Sequence, residues 1–240
     1  TVDEFLATCE KLKQAGVTPV ATAYQGWILR LMFNSIAMGK MGAGAYRDYF
    51  TTGRADLVPA LRDAILVFKT VLESYVNDDA SEDGFNWTNA AQAVYSGDAA
   101  MFMHGDWAKG YLMQLGWRPG VDFGVVGAPG AADLFLYGVD VFAIPRGAQN
   151  ERGAREFLET IASKDAQVAF NRIKGSSPIR MDAPTEQLDP LARATLADLR
   201  AARVRMLVRS RPAWDDAIGR FARTRDVDAL VRAFVDEPPG

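Results

Sequence analysis

The side chains able to do chemistry are few. One cysteine, Cys9, and one histidine, His104, stand among 240 residues. A lone cysteine forms no internal disulfide, and the two together cannot build a typical zinc site of three or four nitrogen and sulfur ligands. A Ser-His-Asp or Cys-His relay would have to pass through His104. That residue lies in the apolar run Met101-Phe102-Met103-His104-Gly105 with no G-x-S-x-G in the chain, so a packed or ligand-lining histidine is the simpler reading. Neither a phosphate-binding G-x-x-x-x-G-K-[ST] loop nor a G-x-G-x-x-G is present. Asp79, Ser81, Asp83 and Gly84 begin like a calcium loop, but its twelfth position is Ala90 where a glutamate is needed. These carboxylates read as a solvated loop. Asp106 and Asp140 are carboxylates of the kind a glycoside hydrolase pairs as acid and base, yet nothing in their spacing favours that use. No metal and no cofactor is expected.

Composition narrows the class further. Apolar residues make up 49% and charged residues 24%, the balance of a soluble globular protein rather than a disordered, collagenous or coiled-coil one. The length allows one large domain or two small ones. No apolar run approaches the ~20 residues that span a bilayer. A net charge of −3 argues against nucleic acid as a partner. Thr1 opens on polar, helix-like sequence without a basic and then apolar leader. The expectation is a cytosolic protein or one whose targeting segment has been removed. Basic residues concentrate late, in Arg200, Arg203, Arg205, Arg209 and Arg211, where a solvated helix face competes with an anion site.

The elements that must position these residues follow from periodicity. Val2, Phe5, Leu6, Cys9 and Leu12 keep a 3.6-residue period from Thr1 to Gly16, and Thr1 with Glu4 forms a capping box. A short strand is expected over 17–21 and a helix over 28–37, with Gly39, Gly42 and Gly44 breaking the pattern behind it. Leu57, Leu61, Ile65, Phe68, Val71 and Leu72 mark the clearest helix, 57–75. Beyond it the pattern predicts a helix over 88–95, a buried strand over 99–104 and a helix over 108–115. A strand over 123–126 follows, then extended chain over 134–144. Further helices are expected over 151–172 (interrupted near 163–165), 191–202, 214–223 and 227–235. Helices alternating with short strands indicate a helix-rich α/β or α+β protein. Pro238-Pro239-Gly240 reads as a frayed end.

The order of particular segments adds a resemblance. Thr1-Val2-Asp3-Glu4-Phe5-Leu6 is followed by Lys11-Leu12-Lys13-Gln14-Ala15-Gly16-Val17-Thr18-Pro19, and then by Trp27 with Leu31 and Phe33. Tyr75-Val76-Asn77-Asp78, Asn86-Trp87-Thr88-Asn89-Ala90-Ala91 and Gly97-Asp98-Ala99-Ala100-Met101 come next, and then Gly105-Asp106-Trp107-Ala108-Lys109-Gly110. Asp140-Val141-Phe142-Ala143-Ile144-Pro145 and Lys174-Gly175-Ser176-Ser177-Pro178-Ile179-Arg180 close the set. Each segment is weak alone. In this order they resemble the extracellular solute-binding proteins of bacterial carbohydrate ABC importers, relatives of maltose-binding protein, and among them the glucose-type branch.

What the resemblance implies is a type II periplasmic-binding-protein-like fold, non-catalytic, outside the cytoplasm, with a lipid anchor compatible with it. Family chains are longer, so this one would hold one complete lobe, from 1–137 and 186–240, and a remnant of the first lobe, 138–185. The missing part would come from a preceding lobe or a second chain. Sugars present apolar C–H faces and a ring of hydroxyls, which call for aromatic platforms and charged or amide partners. The resemblance implies a platform at Trp107 and hydroxyl partners at Asp140 and Lys174. Core packing and helix-end charge are the plain alternatives for these residues. Trp27 and Trp87 offer further platforms, with core packing the simpler reading for each. Arg209 stands where the glucose-type pattern has a histidine; an arginine donates hydrogen bonds and never accepts them, which turns the expectation from glucose toward an acidic sugar. Implied partners are the sugar and the membrane permease of an importer. A sensory or scaffolding module that kept the lobe and lost transport is the alternative.

Overall fold

In the computed structural model, which describes residues 1–208 and 211–237, the first helix is sealed by its own sequence. Thr1 Oγ1 accepts the Glu4 amide at 3.1 Å while the Glu4 carboxylate accepts from the Thr1 terminus and hydroxyl at 2.8 Å. Helix α1 (Val2–Gln14) leads to strand β1 (Thr18–Ala21), then α2 (Gly26–Met41), α3 (Ala43–Thr52), α4 (Val58–Ser74) and α5 (Trp87–Ser96). Strand β2 (Ala99–Phe102), α6 (Ala108–Gln114) and strand β3 (Leu134–Tyr137) come next, followed by α7 (Glu151–Ile161), α8 (Lys164–Lys174) and α9 (Pro190–Ala201). Strand β4 (Val204–Leu207) precedes α10 (Pro212–Thr224) and α11 (Val227–Asp236). Strands β1 and β2 pair in parallel, Thr18 opposite Ala99 and Ala21 opposite Phe102; β3 pairs with β4.

The described chain divides into two units. The first holds 1–105, 126–136 and the residues from 202; the second holds 106–125 and 137–201. In the first, α2, α4, α10 and α11 enclose a phenylalanine core. Phe33 stacks on Phe234 at 5.3 Å between ring centroids and meets Phe68 edge-on at 5.5 Å, and Phe68 stacks on Phe221 at 5.6 Å. Each is sealed from water, worth roughly 2–3 kcal/mol of transfer free energy per ring. The second unit has a smaller core, Val168, Ala183, Leu188, Ala192 and Leu196. Residues 106–125 and 186–201 cluster with 137–185 because α6 lies against α8 and Lys109 of α6 pairs with Asp189. This grouping cuts the chain differently from the 137/138 and 185/186 boundaries expected of lobes.

Several local expectations change. Of the glycines expected to break the pattern only Gly42 (φ +78°) does so: Gly39 lies inside α2 and Gly44 inside α3, which ends on left-handed Gly53 and buries Tyr46, Tyr49 and Phe50. The strand expected over 123–126 does not form; Phe123 makes one isolated bridge to Pro119, while Val125 and Val126 are exposed. Asp122 holds this stretch as a turn, accepting from the Arg118 amide, Nε and Nη2 at 2.7–2.9 Å. Of the extended stretch 134–144, only β3 is strand. The described arginines of the late run do not share one helix face, since Arg200 is exposed on α9 while Arg205 lies on β4, exposed, with half-buried Val204 and Met206 on either side. Asn86 caps α5, accepting the Thr88 amide at 2.8 Å.

Candidate functional site

The site in the second unit is assembled by a contact between glycines. Helix α8 ends on Gly175, whose left-handed backbone (φ +85°) lets its amide bond the Asn171 carbonyl at 2.9 Å. A Cβ on Gly175 would lie 2.3 Å from the Gly110 amide nitrogen, and one on Gly110 would lie 2.3 Å from the Lys174 carbonyl oxygen. Any side chain at either position would push the first turn of α6 off the last turn of α8. The two bare residues thus set Asp106, Trp107 and Lys109 beside Lys174 and Ser176.

Charge then organises this junction. Lys109 is almost fully buried and bonds the Asp189 carboxylate, itself largely shielded. Burial pushes the Asp189 carboxyl up, but the Lys109 ammonium and the Ala192 and Leu191 amides outweigh it and hold it below the usual carboxylate range. The same Asp189 accepts the Ala192 amide at 3.0 Å at the start of α9, so ion pair and helix start share one side chain. The Asp106 carboxyl is displaced the other way. Burial raises it, against the opposing pull of the Ser176 hydroxyl and the Lys109 and Lys174 ammonium groups. Lys174 reaches outward to the exposed Asp140 carboxylate.

Of the four residues implied as ligand contacts, three fall in this unit. Trp107 is half-buried at the N-terminal boundary of α6, and Asp140 and Lys174 are joined directly. Arg209 lies outside the described residues. Lys109, Ser176 and Asp189 were not singled out in the sequence. The pair spans 80 positions, and neither residue has a motif that points to the other. One cavity of about 220 Å³ opens among Met113, Arg172, Gln187, Leu188 and Asp189, and Trp107, Asp140 and Lys174 do not line it.

The first unit carries a separate aromatic group at the carboxyl ends of the parallel β1–β2 pair. His104 stacks on Phe102 at 4.6 Å and on Trp87 at 5.3 Å, and meets Trp27 edge-on at 5.5 Å. Trp87 opens α5 and Trp27 lies in the first turn of α2; all four rings are half-buried. Burial drives the imidazole pKa down to about 4, so His104 is neutral near pH 7. The tryptophans are therefore not sealed core residues. They share a cluster at the strand ends, where open α/β sheets hold ligands.

A helix-rich α/β architecture with short parallel strands is that of the periplasmic-binding-protein-like fold. The chain belongs to the bacterial extracellular solute-binding protein family, whose description matches residues 1–168. That is a family of binding proteins, not of enzymes. An ABC transporter extracellular-binding protein of Pyrococcus horikoshii is 34% identical over 209 residues, 86% of this chain and 46% of that protein. A probable sugar-binding periplasmic protein of Mesorhizobium japonicum is 33% identical over 210 residues, 84% of this chain and 48% of that one. Among solved structures, a chitin oligosaccharide binding protein superposes with a TM-score of 0.70 at 18% identity, covering 98% of this chain and 63% of that chain. This chain spans about half the length of the curated relatives it matches.

Proposed function

We propose that this chain is the sugar-contacting part of a solute receptor that delivers a mono- or small oligosaccharide to the permease of an ABC importer outside the cytoplasm. The observation that carries this reading is the Lys174–Asp140 pair at the end of α8, against which the Gly110–Gly175 contact sets the first turn of α6, entered at Trp107. A half-buried indole suits the C–H face of a pyranose, and a paired ammonium and carboxylate suit vicinal hydroxyls as donor and acceptor. Relatives named for sugar binding support the same ligand class. Rings of the Trp27–Trp87–His104 group are of the type that stacks on sugar faces and are consistent with it.

In this reading, 1–137 and 186–240 derive from one lobe of the longer relatives and 138–185 from the other. Arg209 in place of a histidine turns preference toward acidic sugars such as gluconate or glucuronate. Each hydrogen bond nets only about 1 kcal/mol. A ligand held on one open face, short of three such bonds and one stacking platform, loses about 4 kcal/mol, on the order of a thousandfold in dissociation constant. Calorimetric titration with glucose, xylose, gluconate and glucuronate tests the proposal. Millimolar binding of at least one, abolished in Trp107→Ala, is expected; no binding of any, or turnover of a glycoside, would overturn it.

A further inference from the structure

The second unit holds a cavity that the sugar reading does not use. It measures about 220 Å³ and is lined by Met113 of α6, Arg172 of α8 and residues Gln187, Leu188 and Asp189 ahead of α9. That is room for about seven waters, or for one organic molecule of about ten non-hydrogen atoms. Leu188 is buried and Met113 half-buried, so part of the lining is apolar.

The charges around the cavity decide what it can hold. Asp189 is already matched: one carboxylate oxygen accepts from the Lys109 ammonium and the other from the Ala192 amide at 3.0 Å. A cation entering the cavity would find no free carboxylate. Arg172 stands differently. It is exposed in the last turn of α8, and among the described residues its guanidinium has neither an ion pair nor a hydrogen bond. The Gln187 side-chain amide is equally unengaged among those residues. A helix C-terminus favours a cation for stability alone, but that leaves the amide donor and the apolar lining beside it unexplained.

One unmatched positive charge, a second N–H donor and an apolar surface together select a ligand class. The planar guanidinium fork fits a carboxylate through two parallel hydrogen bonds. A phosphate monoester, carrying nearly two charges, exceeds the single cation. An uncharged apolar molecule would leave Arg172 facing it without a partner.

We propose that this cavity binds a small organic monocarboxylate. Its carboxylate would lie on Arg172, with the Gln187 amide donating beside it, and its apolar body against Met113 and Leu188. The site is separate from Trp107, Asp140 and Lys174, which line none of it, and does not rest on the sugar reading.

Benzoate is the probe, titrated into the intact 240-residue chain while the methionine methyl resonances are followed by nuclear magnetic resonance. Met113→Leu assigns the reporting methyl. Benzoate should shift that resonance saturably with a dissociation constant of about 1 mM, as suits a ligand of this size on a solvent-facing cation. Benzyl alcohol, which keeps the ring without the charge, and inorganic phosphate, which has charge without a ring, should bind at least tenfold more weakly. Because Arg172 is exposed and unpaired, Arg172→Met should keep the far-ultraviolet spectrum and melting temperature of the parent. In that variant benzoate should fall to the level of benzyl alcohol. Four results would overturn the idea: no saturable shift, equal affinity for benzoate and benzyl alcohol in the parent, benzoate affinity unchanged in Arg172→Met, or displacement of benzoate by glucose, which would make the cavity part of the sugar site.

Discussion

The Gly175 and Gly110 backbones touch, with room for a Cβ on neither, and this contact brings Trp107, Lys109 and Lys174 to one junction. Gly175→Ala would combine a left-handed backbone with a clash at 2.3 Å. A loss of about 2–4 kcal/mol is expected, by the cost of strain and overpacking. Urea denaturation followed by circular dichroism should show the midpoint falling, with Gly110→Ala behaving alike. Gly44→Ala, in an exposed helix position with nothing within 4 Å, should be neutral or stabilising.

Lys109→Met would leave Asp189 largely buried without its cation. Breaking such a pair costs about 3 kcal/mol. Adding Asp189→Asn should recover part of this by removing the charge while keeping an acceptor for the Ala192 amide. Lys109→Met with Asp189→Leu should recover less, since the start of α9 then loses its cap, worth about 1 kcal/mol. Chemical denaturation of the four proteins separates these outcomes.

The Lys174–Asp140 pair is different in kind. Asp140 is exposed, and pairs of this sort contribute at most about 1 kcal/mol to stability. Lys174→Met and Asp140→Asn should therefore shift the melting temperature little while weakening sugar binding at least tenfold. Equal sugar affinity in both variants would separate the pair from the ligand.

His104 predicts a pH dependence. Its folded pKa, about 4, lies below the unfolded value near 6.5, so the unfolded chain binds the extra proton first. Stability should be full above pH 6.5 and fall as pH drops toward 4, by about 3 kcal/mol in all. Asp106 acts with the opposite sign: its raised carboxyl loses stability as pH rises from its unfolded value of 3.8 through its folded one. His104→Phe, which keeps a ring on Phe102 and Trp87, should flatten the decline between pH 6.5 and 4. Denaturant midpoints at half-unit pH steps would show it.

Much of this molecule is local and therefore legible in sequence. The capping box of α1, the apolar stripe of α4, the Ser163 break between α7 and α8 and the Gly175 stop each depend on residues within a few positions. Ordered segments carried the family resemblance and led to Trp107, Asp140 and Lys174. Tertiary structure decided what local pattern could not. Glycines around 42 and 44 look like breakers until Tyr46, Tyr49 and Phe50 find a core to enter, and Val204–Leu207 becomes strand only when β3 lies beside it. Lys109 and Asp189 reveal nothing at a separation of 80 residues, because burial makes the ion pair and burial belongs to the folded chain. Conversely, 139–144 has the sequence of a strand and no strand structure, since a strand's hydrogen bonds come from a neighbour rather than from its own residues.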